Sequence, residues 1–390
     1  MDFEKPWGIN YGVRPVKHVL RMREEGLEDS AIRKWLKDEY QISDKKLDLM
    51  FMVADNEQPV IKALDKKSIG LYVDIPFCPS KCIYCSFASM STEKMGKFLK
   101  PYLDALYSEI DTTKKIVDDL GLKIESVYFG GGTPTTLSAA QLDSLITKLK
   151  ESFDFSYVKE FTVEAGRPDT ITDEKLSVLK KHSVGRISVN PQTINEKTLK
   201  IIGRRHTKEQ FIDAYNMVRE AGFDCINTDI IAGLPGETTD DFKHTVDAVL
   251  DLAPENITVH TMSIKRAADI KIYGCDIESA SATDVAQMID YARETLINSE
   301  YYPYYLYRQR NILGDMENTG YSKEGHSGIY NIVMMEEIST VISLGVGAVT
   351  KLVKPGLIKR IFNFKDVIEY INRIDELKER KQYIYEFYDC

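Results

Sequence analysis

Three cysteines lie within eight residues of one another and could together bind one metal group. Cys78, Cys82 and Cys85 are four and three residues apart in Phe77-Cys-Pro-Ser-Lys-Cys-Ile-Tyr-Cys-Ser-Phe87, so one short loop can present all three thiols to the same ligand. Thiolates are the usual ligands of iron–sulfur clusters, and a four-iron cluster bound by only three of them keeps one iron open to a non-protein ligand. The spacing therefore predicts an iron–sulfur cluster with one exchangeable iron.

A structural zinc site and a set of buried free thiols are the alternatives. Structural zinc takes four closed ligands, and the nearest further candidates, His182 and Cys225, fall on later elements of the chain. Pro79, Lys81 and Tyr84 make the loop partly polar, which does not suit a segment that only fills a core. The pattern favours the cluster.

Glycines and polar side chains follow the later predicted strands where each strand ends. The run Gly130-Gly-Gly-Thr-Pro134 lets the backbone approach a ligand closely. Further on come acidic, amide and basic groups at Glu164, Asn190-Pro-Gln192, Gly203-Arg-Arg-His206 and Asp229. Barrel enzymes collect their site residues at these strand ends. Such a set suits a ligand with ammonium, ribose and carboxylate groups, although each residue alone could equally be a surface ion-pair partner.

The elements that must position these residues alternate between short β-rich runs and amphipathic helices from Ser68 to Ser263, which is typical of parallel βα units. Six strands are predicted, at Ile69–Ile75, Ser126–Phe129, Glu160–Glu164, Arg186–Asn190, Asn227–Ile231 and Ile257–Thr261. Helices are predicted between them at Tyr102–Val117, Ala140–Leu149, Asp173–Lys181, Lys208–Glu220 and Thr239–Leu252. Right-handed crossovers of this length indicate an α/β fold with an incomplete (β/α)6 barrel.

The flanking segments lack this alternation. Apolar residues recur at helical spacing from Val16 to about Ala54, which predicts a small helical region. Later predicted elements are a helix near Val285–Ile297, β-rich runs at Tyr304–Tyr307 and Ile358–Phe364, and a final helix over Asp366–Arg380. We therefore expect an N-terminal helical region over 1–66, a barrel core over 67–265 and an α+β C-terminal extension over 266–390.

Composition excludes some classes of function. The 390 residues carry a formal charge of −9, which argues against a general nucleic-acid binder, because such proteins carry clustered Lys and Arg in excess. No run of about 18 apolar residues is present, and the N-terminus carries no apolar segment. We expect a cytoplasmic protein without a membrane span.

The cysteine segment resembles the CxxxCxxC motif of the radical S-adenosylmethionine (SAM) superfamily. Between Gly70 and Lys351 the chain is similar to the oxygen-independent coproporphyrinogen oxidases and their relatives, most of all to the HemZ-type branch, the coproporphyrinogen dehydrogenases. The family anchors are Tyr72-Val-Asp-Ile-Pro-Phe-Cys78, Tyr128-Phe-Gly-Gly-Gly-Thr-Pro134, Asp229-Ile-Ile-Ala-Gly-Leu-Pro235 and Leu344-Gly-Val-Gly-Ala348. The branch is indicated by Thr162-Val-Glu-Ala-Gly-Arg-Pro-Asp169, Asn190-Pro-Gln192, Ile202-Gly-Arg-Arg-His-Thr207 and Lys265-Arg-Ala-Ala268.

The resemblance implies a set of cofactors and a reaction. Cys78, Cys82 and Cys85 would hold a [4Fe-4S] cluster, SAM would bind its open iron, and reductive cleavage of SAM would give a 5′-deoxyadenosyl radical. Two SAM molecules are implied, with contacts at Tyr72, Tyr84, Ser86, Gly131, Gly132, Thr133, Glu164, Gln192, Arg204, Asp229 and Ser263. The implied reaction converts two propionates of coproporphyrinogen III into the vinyl groups of protoporphyrinogen IX in haem biosynthesis. A reduced flavodoxin- or ferredoxin-type protein would supply electrons.

A substrate with four carboxylates requires cationic groups near the barrel mouth. The candidates are Arg205, Lys265, Arg266, Arg308 and Arg310, with Tyr301–Tyr307 as flat surfaces for a tetrapyrrole. An aromatic core strand flanked by solvated arginines is the alternative interpretation. We expect structural roles for His206 and His260, and Cys225, Cys275 and Cys390 to pack or lie exposed.

Two departures from the family pattern keep rival functions open. Asp74 stands where many members have histidine, and Ser86-Phe87 stands where the characterised oxidases have a further cysteine, as in the haem-chaperone relatives. A haem chaperone is therefore one alternative, although its His-Asn-x-x-Tyr-Trp motif is absent and Gly328-Ile-Tyr-Asn331 stands in the C-terminal region. A methyltransferase that uses both SAM molecules is another.

Overall fold

The computed structural model describes residues 5–9, 12–65, 67–263, 280–309 and 311–389. Its strands are β1 (Ser68–Ile75), β2 (Phe77–Cys78), β3 (Met90–Ser91), β4 (Lys123–Gly131), β5 (Glu160–Glu164), β6 (Arg186–Ser188), β7 (Cys225–Ala232), β8 (Asn256–Thr261), β9 (Tyr302–Tyr307), β10 (Asn318–Ser322), β11 (Thr340–Leu344), β12 (Val349–Lys354) and β13 (Leu357–Phe362). Its helices are α1 (Val16–Glu24), α2 (Asp29–Tyr40), α3 (Asp44–Lys62), α4 (Thr92–Met95), α5 (Leu99–Leu120), α6 (Ala139–Ser152), α7 (Asp173–Lys181), α8 (Glu196–Ile201), α9 (Lys208–Glu220), α10 (Thr239–Asp251), α11 (Ala282–Asn298), α12 (Ile329–Glu336), α13 (Val367–Asn372), α14 (Ile374–Lys381) and α15 (Tyr383–Asp389).

The predicted strands form the parallel centre of the sheet. They pair in the order β1-β4-β5-β6-β7-β8, every pair parallel. Most of their residues are buried on both faces, as expected where helices cover a parallel sheet. The α/β fold with a partial (β/α)6 barrel is therefore confirmed, and β5, α7 and α9 have the predicted bounds.

One predicted strand is too long. The sequence predicted Arg186–Asn190, but β6 ends at Ser188. Pro191 has no backbone N–H to continue the ladder, and Gln192 adopts a φ of 67°, outside the strand conformation. The chain therefore turns at this point.

The C-terminal third adds strands to both edges of the same sheet. On one side β11 pairs in parallel with β1, and β12 and β13 follow antiparallel. On the other side β10 pairs antiparallel with β8, and β9 pairs with β10. The sequence predicted neither β10, β11 nor β12. The final helix was also predicted wrongly as one element, because Arg373 leaves the helical conformation (φ −119°, ψ 28°) between α13 and α14.

The N-terminal helices pack against the edge formed by β9. Their core, with Trp7, Leu36 and Met50, includes Leu306 from that strand. Glu317 links the N-terminal region to the sheet, because it accepts hydrogen bonds from Trp7 Nε1 at 2.8 Å and from Lys46 Nζ at 2.5 Å. Over the described ranges, no helix has the length and apolar character needed to cross a bilayer.

Candidate active site

A cavity of about 800 Å³ opens at the carboxyl ends of the parallel strands. Its lining includes the three cysteines and all eleven predicted SAM contacts: Cys78, Cys82, Cys85, Tyr72, Tyr84, Ser86, Gly131, Gly132, Thr133, Glu164, Gln192, Arg204, Asp229 and Ser263. These residues come from positions spread over almost 200 places in the sequence, because successive parallel strands end at one edge of the sheet.

The cysteine loop leaves the sheet directly after β1 and is fixed from two sides. The backbone N–H of Thr133 donates to the carbonyl of Phe77 at 2.8 Å, and Ile83 N–H donates to the carbonyl of Ile202 at 3.2 Å. Ser80 Oγ donates to the carbonyl of Gly203 at 3.0 Å. The β4 turn and the segment after α8 therefore determine where the thiols lie.

The three thiols are free and largely shielded from water. Cys78 and Cys82 are buried and Cys85 is half-buried. Burial raises the pKa of Cys78 to about 11 despite its contact with Thr133 Oγ1 at 3.4 Å. Thiolates in such a place require a positive partner, which an iron–sulfur cluster would provide.

Two buried arginines lie against the loop. Arg167 Nη1 is 3.9 Å from Cys82 Sγ, and the same guanidinium is held by Ser80 and Asp169. Arg204 donates to the carbonyls of Gly166 and Asn190 at 2.8 Å each. Guanidinium groups here would balance the negative charge of a thiolate-bound cluster, so the donor set fits that group. Arg167 was not selected from the sequence; its position in Glu164-Ala-Gly-Arg167 was the only local signal.

The described residues do not offer a single-ion site. No three His, Cys, Asp or Glu side chains among them surround one point as the ligands of one ion would. Cys225, considered above as a fourth zinc ligand, instead donates to Asn256 Oδ1 at 2.9 Å. His182 lies against Asp143 at 2.6 Å. Both are therefore engaged elsewhere.

The glycines after β4 allow close backbone contacts with the cysteine loop. A Cβ on Gly132 would lie 2.6 Å from the carbonyl oxygen of Phe77. Gly131 has a φ of +105°, and a Cβ there would lie 2.6 Å from the carboxyl of Asp74. These two positions therefore require glycine because of contacts within the protein, whereas the approach to a ligand predicted from the sequence stays a prediction.

Glu164 and Asp229, two carboxyl groups of the cavity, have pKa values shifted in opposite directions. Burial raises the pKa of Glu164 to about 7, with a contribution from the charge of Asp229, although Tyr128 Oη donates to Glu164 at 2.6 Å. Burial acts on Asp229 in the same sense, but hydrogen bonds from neighbours including His260 and Asn227 outweigh it and lower its pKa. Asp229 is the permanent anion, and Glu164 is the group that changes charge near neutral pH.

Asp74, the departure from the family pattern, is a buried residue of the cavity lining. Burial raises the pKa of this carboxyl well above its usual range. It accepts a hydrogen bond from Tyr72 Oη at 3.2 Å, and its backbone carbonyl accepts one from Tyr102 Oη at 2.5 Å. A neutral Asp74 would donate a hydrogen bond near the cluster loop.

Aromatic rings line the cavity beyond the cysteine loop. Tyr72, Tyr128 and Tyr330 stack on one another with ring centroids 4.3 to 6.2 Å apart. Tyr305 and Tyr307 of the predicted aromatic run also face the cavity and stack at 6.4 Å. Tyr128 and Tyr330 were not selected from the sequence, although both lie in segments that it singled out.

The two predicted substrate cations that the structure describes, Arg205 and Arg308, do not line the cavity. Arg205 is exposed and pairs with Glu93 at 2.9 Å. Arg308 is buried with its guanidinium 5.1 Å from the Trp7 ring, and Tyr301 donates to the carbonyl of Pro254 within the core. Lys265, Arg266 and Arg310 are outside the described residues. Besides Arg167 and Arg204 at the cysteine loop, the described cavity is lined by Arg14, Lys351 and Arg360, which the sequence did not indicate.

Comparisons with known proteins agree with this geometry. The profile of the Radical SAM superfamily matches residues 72–249. The oxygen-independent coproporphyrinogen-III oxidase-like protein HemZ of Bacillus subtilis is 40% identical over 96% of this chain and 76% of its own length. The chain therefore belongs to the oxygen-independent coproporphyrinogen-III oxidase-like family of the radical SAM superfamily.

Two further relatives differ in their described roles. The haem chaperone HemW of Lactococcus lactis is 36% identical over 51% of this chain and 50% of its own length. The solved structure of the Escherichia coli coproporphyrinogen III oxidase HemN, described as a radical SAM enzyme, superposes with a TM-score of 0.65 and 23% identity, covering 84% of this chain and 73% of that one. The latter likeness supports the fold.

Proposed function

We propose that this protein catalyses the oxygen-independent oxidative decarboxylation of coproporphyrinogen III to protoporphyrinogen IX. The observation that carries the proposal is the single cavity in which a three-cysteine loop and the SAM-type polar residues meet a wall of tyrosines and cations. The name and extent of the HemZ relative support it. A cluster and SAM, when bound, supply the radical chemistry, which no protein side chain provides.

The chain's own residues would bind and orient. Cys78, Cys82 and Cys85 would hold the cluster, and the glycine turn and Arg204 would contact its SAM. Glu164 and Asp229 would accept hydrogen bonds from the positive and hydroxyl groups of SAM. Two SAM molecules are part of this proposal, since each propionate gives up one hydrogen atom. That propionate also loses carbon dioxide and one electron, so the overall change needs an external one-electron acceptor.

The proposal is tested by anaerobic turnover. Cluster-loaded protein is reduced with dithionite, excess reductant is removed, and the protein is incubated with SAM, coproporphyrinogen III and an external one-electron acceptor. Carbon dioxide and vinyl-bearing product are measured together with 5′-deoxyadenosine. We expect all three from the wild type. Absence of carbon dioxide and vinyl product, with 5′-deoxyadenosine still formed, would remove the substrate assignment but keep the SAM chemistry.

Two cysteine variants distinguish the loss of a cluster ligand from the loss of any buried thiol. Cys82→Ala is expected to abolish 5′-deoxyadenosine formation, because the cluster loses one of its three protein ligands. Cys225→Ala, which removes a buried thiol from β7, is the matched control and is expected to retain it. Unchanged 5′-deoxyadenosine formation by Cys82→Ala would contradict the ligand assignment.

A haem chaperone is the second candidate. It is favoured by Ser86-Phe87 in place of a further cysteine and by the similarity to HemW over half of the chain. The same preparations distinguish the two functions: stoichiometric haem retention without carbon dioxide release supports the chaperone. For the enzyme, we propose a reduced flavodoxin- or ferredoxin-type protein as electron donor, to be tested by replacing dithionite with each of them.

A further inference from the structure

Four cations converge on one carboxylate at the edge of the cavity. Glu337, which follows α12, lies 3.0 Å from Arg14 and 3.1 Å from Lys17 of the N-terminal region. It also lies 3.4 Å from Lys351 of β12 and 2.9 Å from Arg360 of β13. We call Arg14, Lys351 and Arg360, which line the cavity, the cationic rim.

The positive charge around Glu337 exceeds the negative charge of the carboxylates beside it. Glu337 is only 5% exposed and is shared by all four cations. The adjacent Glu336 is also buried, and burial raises its pKa to about 7, so it supplies less than a full negative charge near neutral pH. Burial, followed by the charge of Arg14, lowers the pKa of Lys351 to about 8. A cluster of this kind is most stable with a further anion beside it.

The wall next to the rim is flat and apolar. Tyr330 of α12 belongs to the stack of three tyrosines. Met334 and Met335 of the same helix also line the cavity, and Met334 Sδ lies 3.1 Å from Lys351 Nζ of the rim. Phe362, 55% exposed, lies beside Arg360 at the end of β13. Large ring compounds with acidic substituents suit such a combination of aromatic surfaces and cations.

We infer that the cationic rim binds carboxylates of an anionic tetrapyrrole whose ring lies against the tyrosine stack, and so selects the substrate. This inference rests on the proposed function and adds the residues that recognise the substrate. Charge-assisted hydrogen bonds from guanidinium and ammonium groups bind carboxylates at fixed positions. A ring held by propionates at the rim would leave its remaining propionates free to face the cysteine loop.

The rim is tested by binding of coproporphyrin III, a stable tetracarboxylate, to the cluster-loaded full chain. Arg360→Gln is the principal variant, because this side chain is 42% exposed and its loss should not disturb folding. We expect about tenfold weaker binding, and a larger loss for Lys351→Met in the buried part of the rim. Arg360→Lys should restore part of the affinity. SAM binding and 5′-deoxyadenosine formation without substrate should remain unchanged in all of these variants.

Two controls give the test its specificity. Arg205→Gln removes an arginine that pairs with Glu93 outside the cavity and should leave coproporphyrin binding unchanged. The tetramethyl ester of coproporphyrin III, which lacks the negative charges, should bind weakly and equally to wild type and Arg360→Gln. Equal coproporphyrin III affinity in wild type, Arg360→Gln and Lys351→Met, or no binding to wild type, would overturn the inference.

The outcome is separable from that of the proposed reaction. Rim-dependent coproporphyrin binding without carbon dioxide release would keep the rim and reject the decarboxylation. Carbon dioxide release that is unaffected by the rim variants would keep the reaction and reject the rim.

Discussion

The close approach of the β4 turn to the cysteine loop predicts a strong effect for Gly132→Ala. The added Cβ would lie 2.6 Å from the carbonyl oxygen and 2.8 Å from the amide nitrogen of Phe77, and 2.9 Å from the carbonyl oxygen of Ile75. All three are backbone atoms, so the contact cannot be relieved by rotating a side chain. Overpacking of this kind costs about 1–3 kcal/mol.

The clash also threatens the hydrogen bonds that hold the loop. Gly132 N–H donates to Ile75 and Thr133 N–H donates to Phe77, both at 2.8 Å, and each such bond contributes about 1 kcal/mol. We therefore expect Gly132→Ala to lower the free energy of unfolding by roughly 2–4 kcal/mol. Because Cys78 follows Phe77 directly, iron and sulfide bound after anaerobic reconstitution should fall as well.

Urea unfolding of the cluster-free chain and iron analysis of the reconstituted chain measure the two effects separately. Gly96→Ala is the matched control: Gly96 has φ −57°, and its Cβ would have no neighbour within 4 Å. That variant should be neutral or more stable by up to about 1 kcal/mol. Equal stability and iron content in both variants would refute the argument that the turn positions the cluster loop.

Two pH-dependent predictions follow from buried carboxyls. Since the pKa of Glu164 is about 7 and the positive sulfonium of SAM favours the ionised form, SAM affinity measured by equilibrium dialysis should fall about tenfold per pH unit below pH 7. Glu164→Gln should bind SAM weakly, with an affinity that does not change with pH. A wild-type SAM affinity that stays constant from pH 6 to 8 would count against a contact between Glu164 and SAM. Burial raises the pKa of Glu237 to about 7, so the folded protein keeps this proton until the pH exceeds about 7, whereas the unfolded chain loses it near pH 4.5. Folding therefore becomes less favourable as pH rises from about 4.5 to about 7, and Glu237→Gln should stabilise the protein by about 3 kcal/mol at pH 8 and by less at pH 5. Equal thermal stabilities of Glu237→Gln and wild type at pH 8 would contradict this.

The central sheet could be predicted from the sequence because its signals are local. Residues Glu160–Glu164 form a short apolar run that ends in a polar residue, and the structure has a strand with those bounds. The polar residues of the cavity could also be predicted from the strand ends, because parallel strands bring Glu164 and Asp229 to the same edge of the sheet. The predicted end of β6 was wrong because Pro191 lacks the backbone N–H that a longer strand would need at this position.

The edges of the sheet could not be predicted in this way. The pairing of Tyr72 with Ser343 joins β1 to β11 across most of the chain, and no local spacing encodes it. Arg308 was selected because it follows an aromatic run, yet the N-terminal Trp7 covers it. Strand pairing at the edges and the burial of Arg308 depend on which distant segments pack together. The spacing of apolar residues along the sequence does not predict this packing.

The two ends of the cavity therefore arise from different kinds of sequence information. The cysteine loop and the glycine turn are contiguous motifs, and a change within either one alters the backbone that positions the proposed cluster. The cationic rim is assembled from Arg14, Lys351 and Arg360, which come from both ends of the chain. The rim side chains pair with Glu337, which lies outside the cysteine loop, so we expect their exchange to leave that backbone in place. On the inference that the rim binds the substrate, we expect single substitutions there to change substrate affinity without changing SAM cleavage at the proposed cluster. The rim is therefore the place to compare an enzyme with a chaperone of the same family.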